Sequence, residues 1–209
     1  MNYDLIARTW DNDYRINRAK DIAEEIAKHI PEKCSSAMEF GCGTGLISFF
    51  LMDIFQKIIL IDSSQGMIDT LTEKIRNANI KNMDPIMIDL ANERYSGSKL
   101  DVIYSSMAYH HIIETEKITS ILFDLICENG CICIVDLDED DGGFHLNEPQ
   151  FDGHNGFNQE DISRIFSEAG FVNISIHTFY HDIKKFEDKQ IPYSLFFLYA
   201  EKSGKYDTK

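Results

Sequence analysis

The chain has 209 residues, of which 44% are hydrophobic and 26% are charged. This length and composition are typical of one globular domain and exclude a disordered or fibrous protein. The formal net charge of −15 makes nucleic acids and anionic membrane surfaces unfavourable partners, because they carry the same sign of charge. There is no apolar run of about 18 residues, as a membrane span requires, and no signal-peptide pattern at Met1–Asp4. We therefore expect a cytoplasmic protein with neither nucleic-acid nor membrane partners.

Helical and strand-like apolar segments alternate along the chain. In chain order, the patterns predict helix 17–30, strand 37–40, helix 46–55, strand 57–61, helix 64–78, strands 86–88 and 100–105, helix 112–127, strand 130–137, helix 158–169, and strands 171–179 and 195–200. Near-continuous apolar strands that alternate with helices predict an α/β fold, with helices on both faces of a mostly parallel seven-stranded sheet. Because no helix separates the last two strands, we expect them to form an antiparallel hairpin at one edge.

We interpret residues 1–209 as a single domain. Within it we assign a helical cap to residues 1–34, a ligand-binding core to residues 35–137, a lid loop to residues 138–157, and a final helix with two strands to residues 158–209. In open α/β sheets, ligands bind beyond the carboxyl ends of the strands. The candidate binding and catalytic residues are therefore those at the carboxyl ends of the predicted strands.

The five cysteines do not predict a metal site or a disulfide framework. They are Cys34, Cys42, Cys127, Cys131 and Cys133. Their number is odd and no C-x-x-C pair occurs among them. Cys131 and Cys133 alternate along an apolar strand, which is typical of small core residues.

A glycine-rich stretch, Glu39–Gly45, follows the first predicted strand and opens a helix. Its spacing is G-x-G-x-G, whereas a nicotinamide-dinucleotide loop has G-x-G-x-x-G. Asp62 ends the second strand, where a carboxylate can accept hydrogen bonds from both hydroxyls of a ribose, although it could also cap the next helix. Asp89 ends the third strand and could accept from an adenine amino group, or it could be an ordinary loop residue.

Four stretches, residues 39–45, 59–67, 88–90 and 101–112, together resemble the class I S-adenosylmethionine-dependent methyltransferases. Residues 7–14 and 152–157 resemble small prokaryotic members presumed to act on small molecules. The resemblance covers roughly residues 3–200. It implies a Rossmann-like fold, S-adenosylmethionine as cofactor, and in-line transfer of its methyl group to a small-molecule acceptor.

The resemblance also implies a set of cofactor contacts. The glycines of the loop would face the methionine part and the ribose of the cofactor. Glu39 would hold the amino group, Asp62 would bind the ribose hydroxyls, and Asp89 would bind the adenine. The implied set is Tyr14, Glu39, Gly41, Cys42, Gly43, Gly45, Asp62, Ser63, Met67, Asp89, Leu90, Ser105, Ser106 and Met107. Tyr14, on the N-terminal segment, would close over the cofactor.

Four histidines are candidate general bases, because imidazole titrates near neutral pH. They are His110, His111, His145 and His154. The first two follow the fourth strand, and the other two lie in the predicted lid loop. Acidic residues at the start of that loop, among them Asp136 and Asp138, are either functional or part of a solvated turn. Only a protic acceptor requires a base at all.

Two other functions remain open at this stage. A catalytically silent subunit that binds the cofactor or a partner protein is compatible with the motifs, since methyl transfer has no obligatory catalytic side chain. A nicotinamide-dependent oxidoreductase is less compatible, because of the glycine spacing and the antiparallel end pair. The sequence alone determines neither the acceptor atom nor the oligomeric state.

Overall fold

A computed structural model describes residues 3–148 and 150–204. Residues 1, 2, 149 and 205–209 lie outside the described residues. The described residues therefore leave out both ends of the predicted domain 1–209 and one position of the predicted lid loop. They also leave out the first two residues of Met1–Asp4.

Seven strands form one sheet in the order β3-β2-β1-β4-β5-β7-β6. The strands are β1 (Ser36–Phe40), β2 (Lys57–Asp62), β3 (Met83–Met87), β4 (Leu100–Ser106), β5 (Ile126–Leu137), β6 (Val172–Phe186) and β7 (Lys189–Glu201). Neighbours among β1 to β5 pair in parallel, whereas β7 lies antiparallel between β5 and β6. This confirms the predicted seven-stranded, mostly parallel sheet with an antiparallel hairpin at its edge.

The helices described are α1 (Tyr3–Ile6), α2 (Asp13–His29), α3 (Leu46–Leu51), α4 (Gln65–Asn77), α5 (Thr115–Leu125) and α6 (Gln159–Glu168). Three of these helices, α2, α4 and α6, begin at polar side-chain caps. The side chain of Asn12 accepts a hydrogen bond from Arg15 N at 2.9 Å, so α2 begins earlier than predicted. Asn158 caps α6 as predicted. Three-residue 3-10 turns lie at Ala7–Thr9 and Tyr109–His111.

Several predicted boundaries were wrong. The strand predicted at 86–88 is β3, which begins at Met83 and contains Pro85. Proline is tolerated there because β3 is an edge strand, with one side free of ladder hydrogen bonds. The last two strands are much longer than predicted, because β6 continues to Phe186 and β7 begins at Lys189. The added part of β6 is half-exposed and polar, so its sequence lacks the apolar pattern of a buried strand.

The two faces of the sheet carry separate hydrophobic clusters, because successive strand side chains point to opposite faces. In β1, for example, Ala37 packs in one cluster and Met38 in the other. Cys131 and Cys133 are buried together in the first cluster, which confirms their prediction as core residues. Among residues 3–148 and 150–204, no helix combines the length and the apolarity that crossing a membrane requires.

Replacement of Gly45 by alanine is expected to destabilise the fold by about 2–5 kcal/mol. Gly45 is the N-cap of α3 with a φ of 78°, and a Cβ atom there would lie 2.6 Å from Cδ1 of the buried Leu71. Gly43 has a φ of 51°, but a Cβ atom there would have open space, with Trp10 Nε1 at 3.9 Å the nearest atom of a residue that is not adjacent in the chain. Gly43→Ala should therefore cost only about 1–2 kcal/mol, the strain of the left-handed backbone. Urea unfolding of both variants measures this difference, and equal losses would contradict it.

Candidate functional site

A cavity of about 330 Å³ opens at the carboxyl ends of β1, β2 and β4. The glycine loop between β1 and α3 forms its floor, and α2 and the loop after β5 form its walls. This is the position that the parallel topology predicts for a ligand site. The first half of the cavity lies at the glycine loop, and the second half lies between α2, the loop after β5 and β6.

Most of the predicted cofactor-binding residues line this cavity. They are Tyr14, Glu39, Gly41, Cys42, Gly43, Asp62, Ser63, Met67, Asp89, Leu90, Ser106 and Met107. The structure therefore brings together side chains from β1, β2 and β4 and from the segments that follow them. Tyr14 reaches the cavity from α2, where its hydroxyl lies 2.6 Å from that of Tyr193.

Gly45 and Ser105 lie outside the cavity lining, although both were predicted as cofactor contacts. Gly45 caps α3 and packs against Leu71, as described above. The Ser105 hydroxyl donates to the carbonyl oxygen of Phe40 at 2.8 Å and so ties β4 to the end of β1. Both residues stabilise the shape of the glycine loop without lining the cavity.

Asp62 fixes the glycine loop to the end of β2. Its Oδ2 accepts a hydrogen bond from Gly43 N at 2.7 Å, and its Oδ1 accepts one from Ser64 N at 2.9 Å. Burial raises the pKa of this carboxyl group, and the backbone hydrogen bonds oppose that rise. The alternative reading of Asp62 as a helix cap was wrong, because Ser64 caps α4. Each carboxylate oxygen keeps a lone pair that can accept from a ribose hydroxyl.

Glu39 is a buried acid on the cavity wall. It accepts a hydrogen bond from the Ser48 hydroxyl, which in turn lies 2.6 Å from the hydroxyl of Tyr104. Burial raises the pKa of Glu39 to about 8. Among the described residues, no basic side chain lies within ion-pair distance of it. A buried acid that lines a cavity and has no cation within ion-pair distance is suited to a positively charged ligand group.

Asp89 forms hydrogen bonds within the loop after β3 and also lines the cavity. Its Oδ1 accepts from Ala91 N at 3.0 Å, and its Oδ2 accepts from Asn92 Nδ2 at 2.8 Å. These hydrogen bonds shape the turn after β3, as the loop interpretation of this residue expected. The same side chain lines the cavity beside Leu90, so the two interpretations are compatible.

His110 is held by a buried carboxylate. Its Nδ1 lies 2.5 Å from Oδ1 of Asp136, and both side chains are almost fully buried. Burial alone would raise the pKa of Asp136, but the charge of His110 and its hydrogen bond lower it. His110 lines the cavity. With Nδ1 engaged by a carboxylate, its Nε2 is the nitrogen available to take a proton from a ligand.

The other three candidate histidines differ in environment. His111 lines the cavity, its Nε2 lies 2.9 Å from the Tyr3 hydroxyl, and burial lowers its pKa to about 3. His145 lines the cavity with its ring stacked on Phe151 at 3.5 Å. The Nε2 of His154 lies 2.9 Å from the carbonyl oxygen of Ile112, outside the cavity lining. The structure therefore brings three of the four histidines together.

The acidic residues at the start of the predicted lid have mainly structural contacts. Asp138 accepts hydrogen bonds from Gln159, Thr178 and Ser194. It therefore links the loop to α6 and to the hairpin. The central part of the loop reaches the cavity through Phe144, His145, Asn147 and Glu148.

Sequence reasoning missed several cavity residues. They are Tyr3, Trp10, Arg15, Arg18, Phe144, Asn147, Glu148 and Lys184. The i, i+3 spacing of Arg15 and Arg18 was a usable signal, because it places both on one face of a helix. Lys184 carried no such signal, since the predicted strand ended at residue 179.

Comparison with known proteins gives the family. The profile of a family described as a methyltransferase domain matches residues 37–130. An uncharacterized methyltransferase of Schizosaccharomyces pombe is 30% identical over 181 residues, which are 80% of this chain and 64% of that protein. Residues 37–130 therefore carry a methyltransferase domain, and the chain is similar to a methyltransferase over most of its length. A malonyl-[acyl-carrier protein] O-methyltransferase of Ilyobacter polytropus is 29% identical over 63% of this methyltransferase chain and 49% of its own length.

Solved structures show the same fold. Phosphoethanolamine N-methyltransferase 2 of Haemonchus contortus in complex with S-adenosylmethionine superposes with a TM-score of 0.74 at 15% identity, over 97% of this methyltransferase and 60% of that chain. The YcgJ protein of Bacillus subtilis gives a TM-score of 0.71 at 11% identity, over 88% of this chain and 98% of its own. The chain spans about half to two thirds of the length of the first curated relatives it matches.

S-adenosylmethionine is the cofactor of this family, and the cavity residues fit it. The uncompensated acid at Glu39 suits the ammonium group, and the Asp62 carboxylate suits the ribose diol. In residues 3–148 and 150–204, no group of three or more metal-binding side chains is close enough to hold a metal ion.

Proposed function

We propose that this methyltransferase transfers a methyl group to a protic oxygen or nitrogen of a small molecule. The observation that carries the proposal is that His110, which the buried Asp136 holds by its Nδ1, lines the same cavity as the glycine loop and Asp62. One half of the cavity matches the cofactor, and a candidate base lies beside it. The net charge of −15 disfavours an RNA acceptor.

S-adenosylmethionine, which Glu39 and Asp62 would hold, would supply an electrophilic methyl group on a cationic sulfur, with the thioether of S-adenosylhomocysteine as the leaving group. The side chains of the protein must position the acceptor and take its proton. His110 Nε2 takes that proton, while Asp136 holds the ring and stabilises the resulting imidazolium. His111, with its pKa lowered to about 3, stays neutral at pH 7 and is a poor base.

The loop after β5 limits access to the cavity. Phe151 stacks on His145 at 3.5 Å, and Phe144 packs 5.0 Å from the Tyr193 ring. Phe144 and His145 line the cavity, so these contacts place aromatic surface on one of its walls, which helps to exclude water and strengthens the electrostatic interactions inside. We infer that the loop 138–157 acts as a lid over a small acceptor.

The relatives support an acceptor of this kind. The name of the Ilyobacter polytropus relative assigns methyl transfer to an oxygen of a malonyl group. Ribosomal RNA methyltransferases of Legionella pneumophila match at 28% identity over only 44% of this chain. The longer match favours an acceptor that is a small molecule or a small attached group.

Direct measurement of turnover tests the proposal. The purified protein is incubated with S-adenosylmethionine and pooled phenols, amines and carboxylic acids, and formation of S-adenosylhomocysteine is followed. We expect product formation above the acceptor-free rate in at least one pool. Tight binding of S-adenosylhomocysteine with no turnover on any pool would favour the silent-subunit alternative.

Binding of S-adenosylhomocysteine at pH 7 should release a proton. Glu39, with a pKa of about 8 in the ligand-free protein, is mostly neutral at pH 7, and a neighbouring ammonium group favours its charged form. Ser48 and Tyr104 face this carboxyl group, and the charges of Asp62 and Lys74 act on it from β2 and α4. The affinity should therefore rise with pH towards about 8, the pKa of Glu39 in the ligand-free protein, and level off above it.

Calorimetry in two buffers with different ionisation enthalpies counts the released protons. Glu39→Gln should abolish the release and weaken binding by about tenfold or more. The same variant should not lower the stability of the ligand-free protein at pH 8, because it removes a buried ionisable group. A wild-type binding enthalpy that does not depend on the buffer would contradict the assignment of Glu39.

A further inference from the structure

Three cations line the cavity. Arg15 and Arg18 reach it from α2, and Lys184 reaches it from β6. Because the chain as a whole has a net charge of −15, this concentration of positive charge is contrary to the overall composition. All three side chains are partly buried, so water screens their mutual repulsion only in part.

The two arginines have no carboxylate partner among the described residues. Arg15 Nη1 donates to the carbonyl oxygen of Trp10 at 3.0 Å, and Arg18 Nη1 donates to the hydroxyl of Tyr193 at 3.3 Å. A guanidinium group has five N–H donors, so each arginine keeps donors for a ligand. Asp182 is connected to Arg18 only through the Tyr193 hydroxyl among the described hydrogen bonds, since this hydroxyl donates to Asp182 Oδ2 at 3.4 Å.

Lys184 is positioned by the loop after β5. Its Nζ donates to the carbonyl oxygen of Phe144 at 2.6 Å and to Asn147 Oδ1 at 2.9 Å, and Glu148 Oε1 lies 3.9 Å away. Burial lowers the pKa of Lys184, Glu148 opposes that effect, and the two arginines add to it. Burial also lowers the pKa of Arg15, with Arg18 adding to the effect. The three cations are thus close enough to repel one another.

An unpartnered polar side chain lies beside these cations. His145 is 6% exposed, and neither of its ring nitrogens has a hydrogen-bond partner among the described residues. Its Nδ1 lies 3.4 Å from Glu148 Oε1, outside hydrogen-bond geometry. A buried imidazole without partners is costly unless a ligand or water satisfies it. Since Glu148 contacts both His145 and Lys184, the imidazole and the ammonium group lie in one neighbourhood.

We propose that Arg18 and Lys184 form an anion subsite that binds a carboxylate or phosphate group of the methyl acceptor, with His145 as an additional hydrogen-bond donor. This inference rests on the proposed function and names the class of acceptor. A bidentate anion offsets the repulsion between the cations and uses the free guanidinium donors. The acceptor is therefore an anionic small molecule, oriented by its charged group so that its reactive oxygen or nitrogen faces His110.

Arg15 has a different environment from the other two cations. Its guanidinium stacks 3.9 Å from the centre of the Trp10 ring, and Trp10 lies next to Gly43 in the glycine loop. A carboxylate at that end of the cavity can come from the methionine part of the cofactor. The test must therefore separate the carboxylate of the cofactor from that of the acceptor.

The experiment titrates inorganic phosphate, and separately malonate, into protein saturated with S-adenosylhomocysteine, at constant ionic strength. We expect Arg18→Gln and Lys184→Gln to weaken anion binding about tenfold or more. The affinity for S-adenosylhomocysteine should stay close to that of the wild type in both variants. Lys185→Gln is the matched control, because Lys185 is the exposed neighbour of Lys184 on β6. This control should bind both anions as the wild type does.

Three outcomes would overturn the inference of an anion subsite. It is wrong if the saturated wild-type protein binds neither anion, or if Lys185→Gln loses as much affinity as Lys184→Gln. It is also wrong if the two variants lose affinity for S-adenosylhomocysteine while their phosphate binding is unchanged, because the cations would then serve the cofactor. Arg18→Lys, which keeps the charge but loses the bidentate donors, should bind the anions more tightly than Arg18→Gln and less tightly than the wild type, and it guards against a folding defect. Failure of the wild type to bind S-adenosylhomocysteine would instead refute the proposed function.

Discussion

Replacing Asp62 with asparagine is expected to weaken binding of S-adenosylhomocysteine by roughly a hundredfold. In the wild type, one carboxylate oxygen accepts from Gly43 N and the other from Ser64 N. An amide has only one acceptor oxygen, so one of these backbone donors loses its partner and the glycine loop loses its anchor to β2. The ribose hydroxyls also lose a charged acceptor. Calorimetric titration measures the change.

Asp69→Asn is the matched control for this experiment. Asp69 is an exposed carboxylate on α4 that accepts from Gln65 Nε2 at 2.7 Å, and the substitution removes the same charge from the same region. It should leave the affinity near that of the wild type. If Asp62→Asn also bound S-adenosylhomocysteine normally, Asp62 would have no role in cofactor recognition.

Replacing His110 with asparagine is expected to reduce turnover on a protic acceptor by about 10²- to 10⁴-fold. The substitution removes the nitrogen that takes the proton, while the glycine loop, Asp62 and Glu39 are unchanged. Affinity for S-adenosylhomocysteine should therefore stay near that of the wild type. Initial rates of S-adenosylhomocysteine formation, together with calorimetric binding constants, separate the two effects.

Asp136→Asn and His181→Asn complete this experiment. Asp136 acts through the orientation of His110, so its amide variant should lower the rate and change the pH–rate profile without loss of cofactor binding. His181 is exposed on β6, and its variant should have wild-type rates. Undiminished turnover in His110→Asn would show that the acceptor is deprotonated without this residue.

The cofactor half of the site was predictable because its signals are local. The glycine loop Glu39–Gly45 immediately follows a buried apolar strand, and Asp62 immediately follows the next one. In a parallel sheet, both points lie at the same edge. The local pattern did not show which residues face the ligand. Gly45 and Ser105 match the motif in sequence, but the packing of Leu71 and the carbonyl of Phe40 place them behind the wall.

The acceptor half was largely hidden because its residues meet only through tertiary structure. Arg18 and Lys184 are 166 positions apart, and they approach because β6 extends past the predicted end to reach the loop after β5. The pairing of His110 with Asp136 has the same origin, since His110 follows β4 and Asp136 lies near the end of the neighbouring strand β5. Both histidine and aspartate were recognised as candidates, but their contact depends on strand register, which the sequence did not reveal.

The position of β7 has a consequence for the order in which the molecule assembles during synthesis. In the sheet, β6 pairs only with β7, which is made after it. While the ribosome is still adding residues 189–201, β6 therefore has no strand to join. Lys184, which comes from this hairpin, reaches the cavity last. A nascent chain thus acquires the parallel strands around the glycine loop before it acquires the hairpin that completes the cavity lining.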